Sequence, residues 1–163
     1  MECNDYKIEF TLNGKPVGIV TDPLRRLIDV LREDFGCLGV KEGCSEGECG
    51  ACSILMNGRI VTPCLIPVGA ANGQDIMTIE GVKETEKGAI IVQAFADGGA
   101  VQCGFCIPGM VIAAYYLLSL NPNPTEDEIR LGISGNICRC TGYDLIVESI
   151  KLAAQRGGEI WKR

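Results

Sequence analysis

The stretch Lys41-Glu42-Gly43-Cys44-Ser45-Glu46-Gly47-Glu48-Cys49-Gly50-Ala51-Cys52 places a glycine beside or between its cysteines. A backbone that wraps a compact core must turn tightly and often with positive φ, which glycine adopts without steric cost. Successive N–H groups in such a loop point inward and donate to an anion held there. The loop therefore reads as a cradle for a negatively charged, sulfur-bound centre. Cys64 follows after eleven intervening residues, beyond an Asn57-Gly58 turn, so a hairpin delivers the fourth thiol by folding.

A second four-thiol set lies further along the chain. Cys103 and Cys106 form a C-x2-C pair, and Cys138 and Cys140 a C-x-C pair. These sets account for eight of the ten cysteines among 163 residues, and the chain contains no histidine to complete another kind of site. Four thiolates are the ligation of a 2Fe–2S cluster, and C-x4-C-x2-C followed by a distant cysteine is the plant-type ferredoxin spacing. Cys44, Cys49, Cys52 and Cys64 are thus candidate ligands of one cluster, and Cys103, Cys106, Cys138 and Cys140 of another. Zinc is the competing occupant of the first set, although zinc sites more often use paired C-x2-C knuckles. For the second, C-x2-C alone also suits a thioredoxin-type dithiol, but no βαβ pattern surrounds it.

Composition narrows the function classes. A formal net charge of −6 argues against nucleic acid, whose phosphates select a positive face. The longest apolar run, Met110 to Leu120, is too short for a membrane span. The first five residues carry neither a basic nor an apolar leader, and thiols at this density suit a reducing cytoplasm and metal rather than disulfides. The chain offers no acid–base pair and no nucleophile with a partner base, so an electron carrier that leaves substrate chemistry to others is the leading reading. A free two-cluster ferredoxin and a zinc-stabilised binding module are the alternatives.

The periodicity predicts an α+β chain: a ferredoxin-like β-grasp domain over residues 1–80, then a helical domain over 81–163 built as a four-helix bundle. Ile8, Phe10 and Leu12 alternate with polar residues, Asn13-Gly14 offers a hairpin turn, and Val17–Val20 returns. Thr21 or Asp22 caps an expected helix with Pro23 at its first position and Leu24, Leu27, Ile28 and Leu31 on one face, ending at Gly36. A second hairpin spans Ser53–Met56 and Arg59–Thr62, and Ile76–Glu80 is the last expected strand. Helices are expected over Ala89–Ala96, Pro108–Leu120, from the capping box Thr125–Glu128 through Ile133, and over Leu145–Gln155. The segment 81–88 reads as a linker. Cys3 reads as a free thiol and Cys37 as a small buried apolar residue.

The stretches KEGCSEGECGACSILMNG, GAVQCGFCIPGM and SGNICRCTGY resemble, in sequence and mutual spacing, the small iron–sulfur subunit of the molybdenum hydroxylases, the xanthine dehydrogenase, aldehyde oxidoreductase and carbon monoxide dehydrogenase family. The resemblance covers about residues 5–156. It implies a large partner subunit holding molybdopterin in its cytosine dinucleotide form and a medium partner holding FAD. It places the cluster of Cys103, Cys106, Cys138 and Cys140 nearer molybdenum and the other nearer FAD. It further implies that Gln102 contacts the molybdopterin and that Cys140 lies near the pterin, with a purine or other N-heterocycle as substrate. Aldehydes, carbon monoxide and aromatic CoA esters are the other substrate classes of the family. One departure is Ile107, where many members carry threonine.

Overall fold

The computed structural model describes residues 5–162, so Cys3 lies outside the described residues. Strand β1 (Tyr6–Leu12) turns Ile8, Phe10 and Leu12 inward and pairs antiparallel with β2 (Lys15–Thr21). Asn13 and Gly14, at φ 51 and 77, make the two-residue turn whose twist suits a hairpin. A short helix, α1 (Leu27–Asp29), continues as one wider turn over Val30–Asp34 and buries Leu27, Ile28, Val30 and Leu31. Gly36 at φ 68 then reverses the chain, and the Cys37 N–H donates back to the Leu31 carbonyl at 2.8 Å.

The helix starts later than the expected cap at Thr21 or Asp22. The Asp22 carboxylate instead accepts the Leu24 N–H at 2.9 Å, Arg26 is extended and bridges to Pro67, and Leu24 faces solvent. Proline at position 23 therefore serves a turn, not a helix start.

After the cysteine loop come β3 (Ile54–Met56), β4 (Arg59–Val61) and β5 (Asp75–Met77). The sheet order is β2-β1-β5-β3-β4, with β1 and β5 parallel and the other pairs antiparallel. The expected strand through Glu80 stops at Met77, because Thr78 opens a short helix, α2 (Ile79–Val82). Asn13 side-chain bonds to the Thr78 N–H and hydroxyl tie this corner to the first hairpin.

The segment 81–88 is not a free linker. Val82 is fully buried in the helical core, and a β-carbon on Gly88 would strike the Val82 carbonyl oxygen. Four longer helices follow: α3 (Glu86–Asp97), α4 (Ile107–Leu120), α5 (Glu126–Gly132) and α6 (Asp144–Gly157). Helix α3 packs on α4 and α6, and α5 packs on the same two. The chain is thus a mixed α/β fold with two apolar cores. One lies under the sheet around Phe10, Leu27 and Ile76, the other among the helices around Phe95, Met110 and Ile146. Cys37 is buried in the first, while Tyr115, Tyr116 and Ile107 pack against the second.

Candidate metal centres

The first cysteine loop winds as its glycines predict. Ser45, Gly47 and Gly50 all have positive φ, and at Gly47 and Gly50 a β-carbon would collide with Leu65 and with Gly135 and Asn136. A β-carbon on Gly43 would stand 2.9 Å from the Cys49 sulfur. The Cys44 sulfur accepts N–H bonds from Glu46 and Cys49, each at 3.4 Å. Those donors stabilise the thiolate and lower its pKa to about 7. Cys52 and Cys64 are buried with sulfurs 3.6 Å apart, and burial pushes the Cys52 thiol up to about 12.

In the second set, Cys106 immediately precedes α4, whose N-terminus favours negative charge. Burial raises its thiol to about 12. Cys138 is also buried, which opposes its ionisation. The Thr141 hydroxyl at 3.1 Å, with the Thr141 and Cys140 N–H groups, outweighs burial and brings the Cys138 thiol down. Cys103 and Cys140 are exposed, with sulfurs 3.6 Å apart, and the Cys103 thiol holds Cys140 up. Gln102 beside them is exposed as well.

The donor set fits two binuclear centres. None of the eight thiols is in a disulfide. Two thiolates on one tetrahedral metal with M–S bonds near 2.3 Å lie about 3.8 Å apart. The 3.6 Å pairs Cys52–Cys64 and Cys103–Cys140 match that span, as two thiolates on each of two irons require. Cys44, Cys49, Cys52 and Cys64 would hold one cluster, and Cys103, Cys106, Cys138 and Cys140 the other. Each, when bound, supplies a one-electron carrier.

The two loops are joined. The Ile137 N–H donates to the Cys49 carbonyl at 2.9 Å. Asn136, 5 % exposed, donates to the Gly50 carbonyl at 2.9 Å and the Ser53 hydroxyl at 3.3 Å. A cleft of about 300 Å³ is lined by Cys44 and Cys49 of the first set together with Cys103, Cys106, Cys138 and Cys140 of the second. Sequence reasoning assigned no role to Asn136, Thr141 or Tyr143. The Tyr143 hydroxyl accepts the Cys138 N–H at 2.9 Å. The available signal was their place in the motif around the C-x-C pair, where polar side chains must satisfy a tightly turned backbone.

Two thiol cradles locked together in one chain are the donor sets of an iron–sulfur electron carrier. Residues 10–75 match the 2Fe-2S iron-sulfur cluster binding domain, and residues 78–151 match a second 2Fe-2S binding domain. The nicotinate dehydrogenase small FeS subunit of Eubacterium barkeri is 51% identical over 94% of this chain and 98% of its own. The xanthine dehydrogenase iron-sulfur-binding subunit of Escherichia coli O157:H7 is 45% identical over 88% and 91%. The crystal structure of quinoline 2-oxidoreductase from Pseudomonas putida 86 superposes with a TM-score of 0.89 at 41% identity, covering 96% of this chain and 99% of that one. The chain belongs to the iron–sulfur subunits of the molybdenum hydroxylase family, as the electron-transfer component of an oxidoreductase. No described helix is long and apolar enough to cross a membrane.

Proposed function

We propose that this chain takes electrons from a molybdopterin centre in a large partner subunit and delivers them to FAD in a medium partner. The Cys103/Cys106/Cys138/Cys140 side receives, and the Cys44/Cys49/Cys52/Cys64 side delivers. The carrying observation is the asymmetry of the second site. Cys106 and Cys138 are buried, whereas Cys103 and Cys140 reach the surface beside exposed Gln102, Val101, Phe105 and Ile137. An apolar rim around solvent-facing ligands suits a docked partner that brings its own cofactor close. Gln102 is assigned to hydrogen-bond the pterin, and Cys140 to lie near it.

In finer detail, the reading is a β-grasp domain over 1–80 and a four-helix-bundle domain over 81–163, working in the cytoplasm, with the pterin in its cytosine dinucleotide form. The substrate proposed is an N-heterocycle. Its support is that the relatives named for nicotinate, xanthine and quinoline all act on nitrogen heteroaromatics. Within that class the greater identity to the nicotinate relative favours a pyridine ring over a purine.

The test is copurification from the native host, followed by metal, flavin and pterin analysis and anaerobic reduction with nicotinate, xanthine or an aldehyde. Molybdenum and FAD on associated chains, with bleaching by a heterocycle, are expected. An iron-loaded chain running alone would overturn the subunit reading, and bleaching only by an aldehyde would overturn the substrate. Gln102→Ala is expected to slow reduction by substrate with iron retained; unchanged kinetics would remove its assigned contact.

A further inference from the structure

We infer that Asn136 is a positioning residue that sets the separation and electronic coupling of the two cysteine loops. The inference rests on the two-cluster reading and goes beyond it. Asn136 is one of few buried polar residues, and its amide reaches across from the second loop to the first. It donates to the Gly50 carbonyl and the Ser53 hydroxyl, while the Ser53 hydroxyl and N–H themselves bond Gly50 at 2.8 and 3.1 Å. Gly50 is thereby gripped between two ligands of the first set, Cys49 and Cys52. Asn136 itself stands two residues before Cys138, a ligand of the second.

Close packing leaves the grip little slack. A β-carbon on Gly50 would meet the Gly135 carbonyl at 2.3 Å and the Asn136 amide nitrogen at 2.7 Å. One on Gly109, in the first turn of α4 after Cys106, would meet the Gly50 carbonyl at 2.3 Å. The Gly50 peptide is therefore wedged between the elements that bear Cys106 and Cys138, and the Asn136 amide holds it there. The neighbouring Ile137 N–H donates to the Cys49 carbonyl at the same junction. Electron tunnelling falls exponentially with separation and dipolar spin coupling with its cube, so both report a loosened grip. Removing the amide leaves the Gly50 carbonyl its Ser53 bonds and Cys49 its Ile137 bond, but takes away a buried side-chain tie between the loops and lets them shift.

The experiment compares iron-loaded wild-type complex with Asn136→Ala and Ser53→Ala. Iron analysis and the individual EPR signals of the two reduced clusters are read first; four irons per wild-type chain test the two-cluster reading separately. The expected result is unchanged iron and unchanged g-values in Asn136→Ala. A reduced low-temperature splitting from inter-cluster spin coupling and slower electron equilibration between clusters should accompany it. Ser53→Ala should show a smaller change of the same sign, and Asn136→Gln should not restore the coupling because its longer side chain cannot seat in the same space. Intact splitting in iron-replete Asn136→Ala would overturn the inference. So would iron loss in both alanine variants, which would make Asn136 a structural residue only.

Discussion

A β-carbon placed on Gly109 would stand 2.3 Å from the carbonyl oxygen of Gly50, although the two residues belong to different halves of the chain. In an open helical site, glycine-to-alanine substitution stabilises by about 1 kcal/mol. Here the added methyl must part α4 from the first cysteine loop. Gly109→Ala is therefore expected to destabilise by about 1–3 kcal/mol, the range of overpacked cores. Denaturant unfolding of the loaded protein measures it, and a gain in midpoint would show that the halves do not abut there.

The cluster-free chain should alkylate unevenly. N–H bonds from Glu46 and Cys49 hold Cys44 at about 7, whereas burial holds Cys52 and Cys106 at about 12. A lowered thiol pKa means that thiolate, the reactive form, fills in as pH rises through 7. Brief treatment with iodoacetamide at pH 7.5, mapped by mass spectrometry, should label Cys44 well before Cys52 or Cys106. Labelling of Cys44 should fall away below pH 6. Equal labelling of all three would refute the hydrogen-bonded thiolate.

Cys49→Ser should disturb one cluster first. Cys49 belongs to the first set, but its carbonyl is held by the N–H next to Cys138. Serine preserves that carbonyl, so the second cluster's EPR signal should persist while the first is shifted or lost. Disappearance of both signals from folded protein would argue against independent sites.

Helix α5 depends on its first turn. Thr125 accepts the Glu128 N–H at 3.3 Å, and the Glu128 carboxylate accepts the Thr125 N–H at 2.7 Å. Thr125→Ala should cost about 1 kcal/mol. The same backbone bond holds the Glu128 carboxyl below its usual range, so its contribution is present at neutral pH and is lost as pH falls through that lowered pKa. Because Thr125→Ala keeps that backbone N–H, the pH test is Glu128→Gln, whose thermal melts should converge with those of wild type in acid; a gap that stays constant with pH would rule the carboxylate out.

What could be read before any coordinates was local. Ile8, Phe10 and Leu12 declare a strand by alternation, Asn13-Gly14 and Asn57-Gly58 declare hairpins, and Thr125–Glu128 declares a helix start, because each rests on neighbours in sequence. The cysteine motifs C-x4-C-x2-C, C-x2-C and C-x-C are local in the same way, and they are what proposes the two ligand sets. Leu24 misled because an apolar residue at helical spacing carries no sign that Asp22 would close a turn instead. The α2 corner was missed because Val82 is buried by helices distant in sequence. Asn136 was illegible on its own, since its importance comes from Gly50 and Ser53, more than eighty residues away.

The exposed rim of the second site should govern assembly rather than folding. Val101 and Ile137 are 47% and 54% exposed and flank Cys103 and Cys138, yet neither belongs to the buried core of the helical half. A carboxylate at either position stays solvated in the free chain, so folding and iron content should be unchanged. In a complex the same charge would be buried against an apolar partner surface without a counter-charge, which is costly. Val101→Asp and Ile137→Glu are therefore each expected to weaken association with the large partner by about tenfold or more, as for a truncated interface anchor. Ile137→Glu leaves in place both the Asn136 amide and the backbone N–H that bonds Cys49, so inter-cluster spin coupling should persist in it. Size-exclusion chromatography of coexpressed chains, with iron analysis of the released subunit, measures both effects. Undiminished association of both variants would move the docking face away from Cys103 and Cys140 and remove the support for electron entry there.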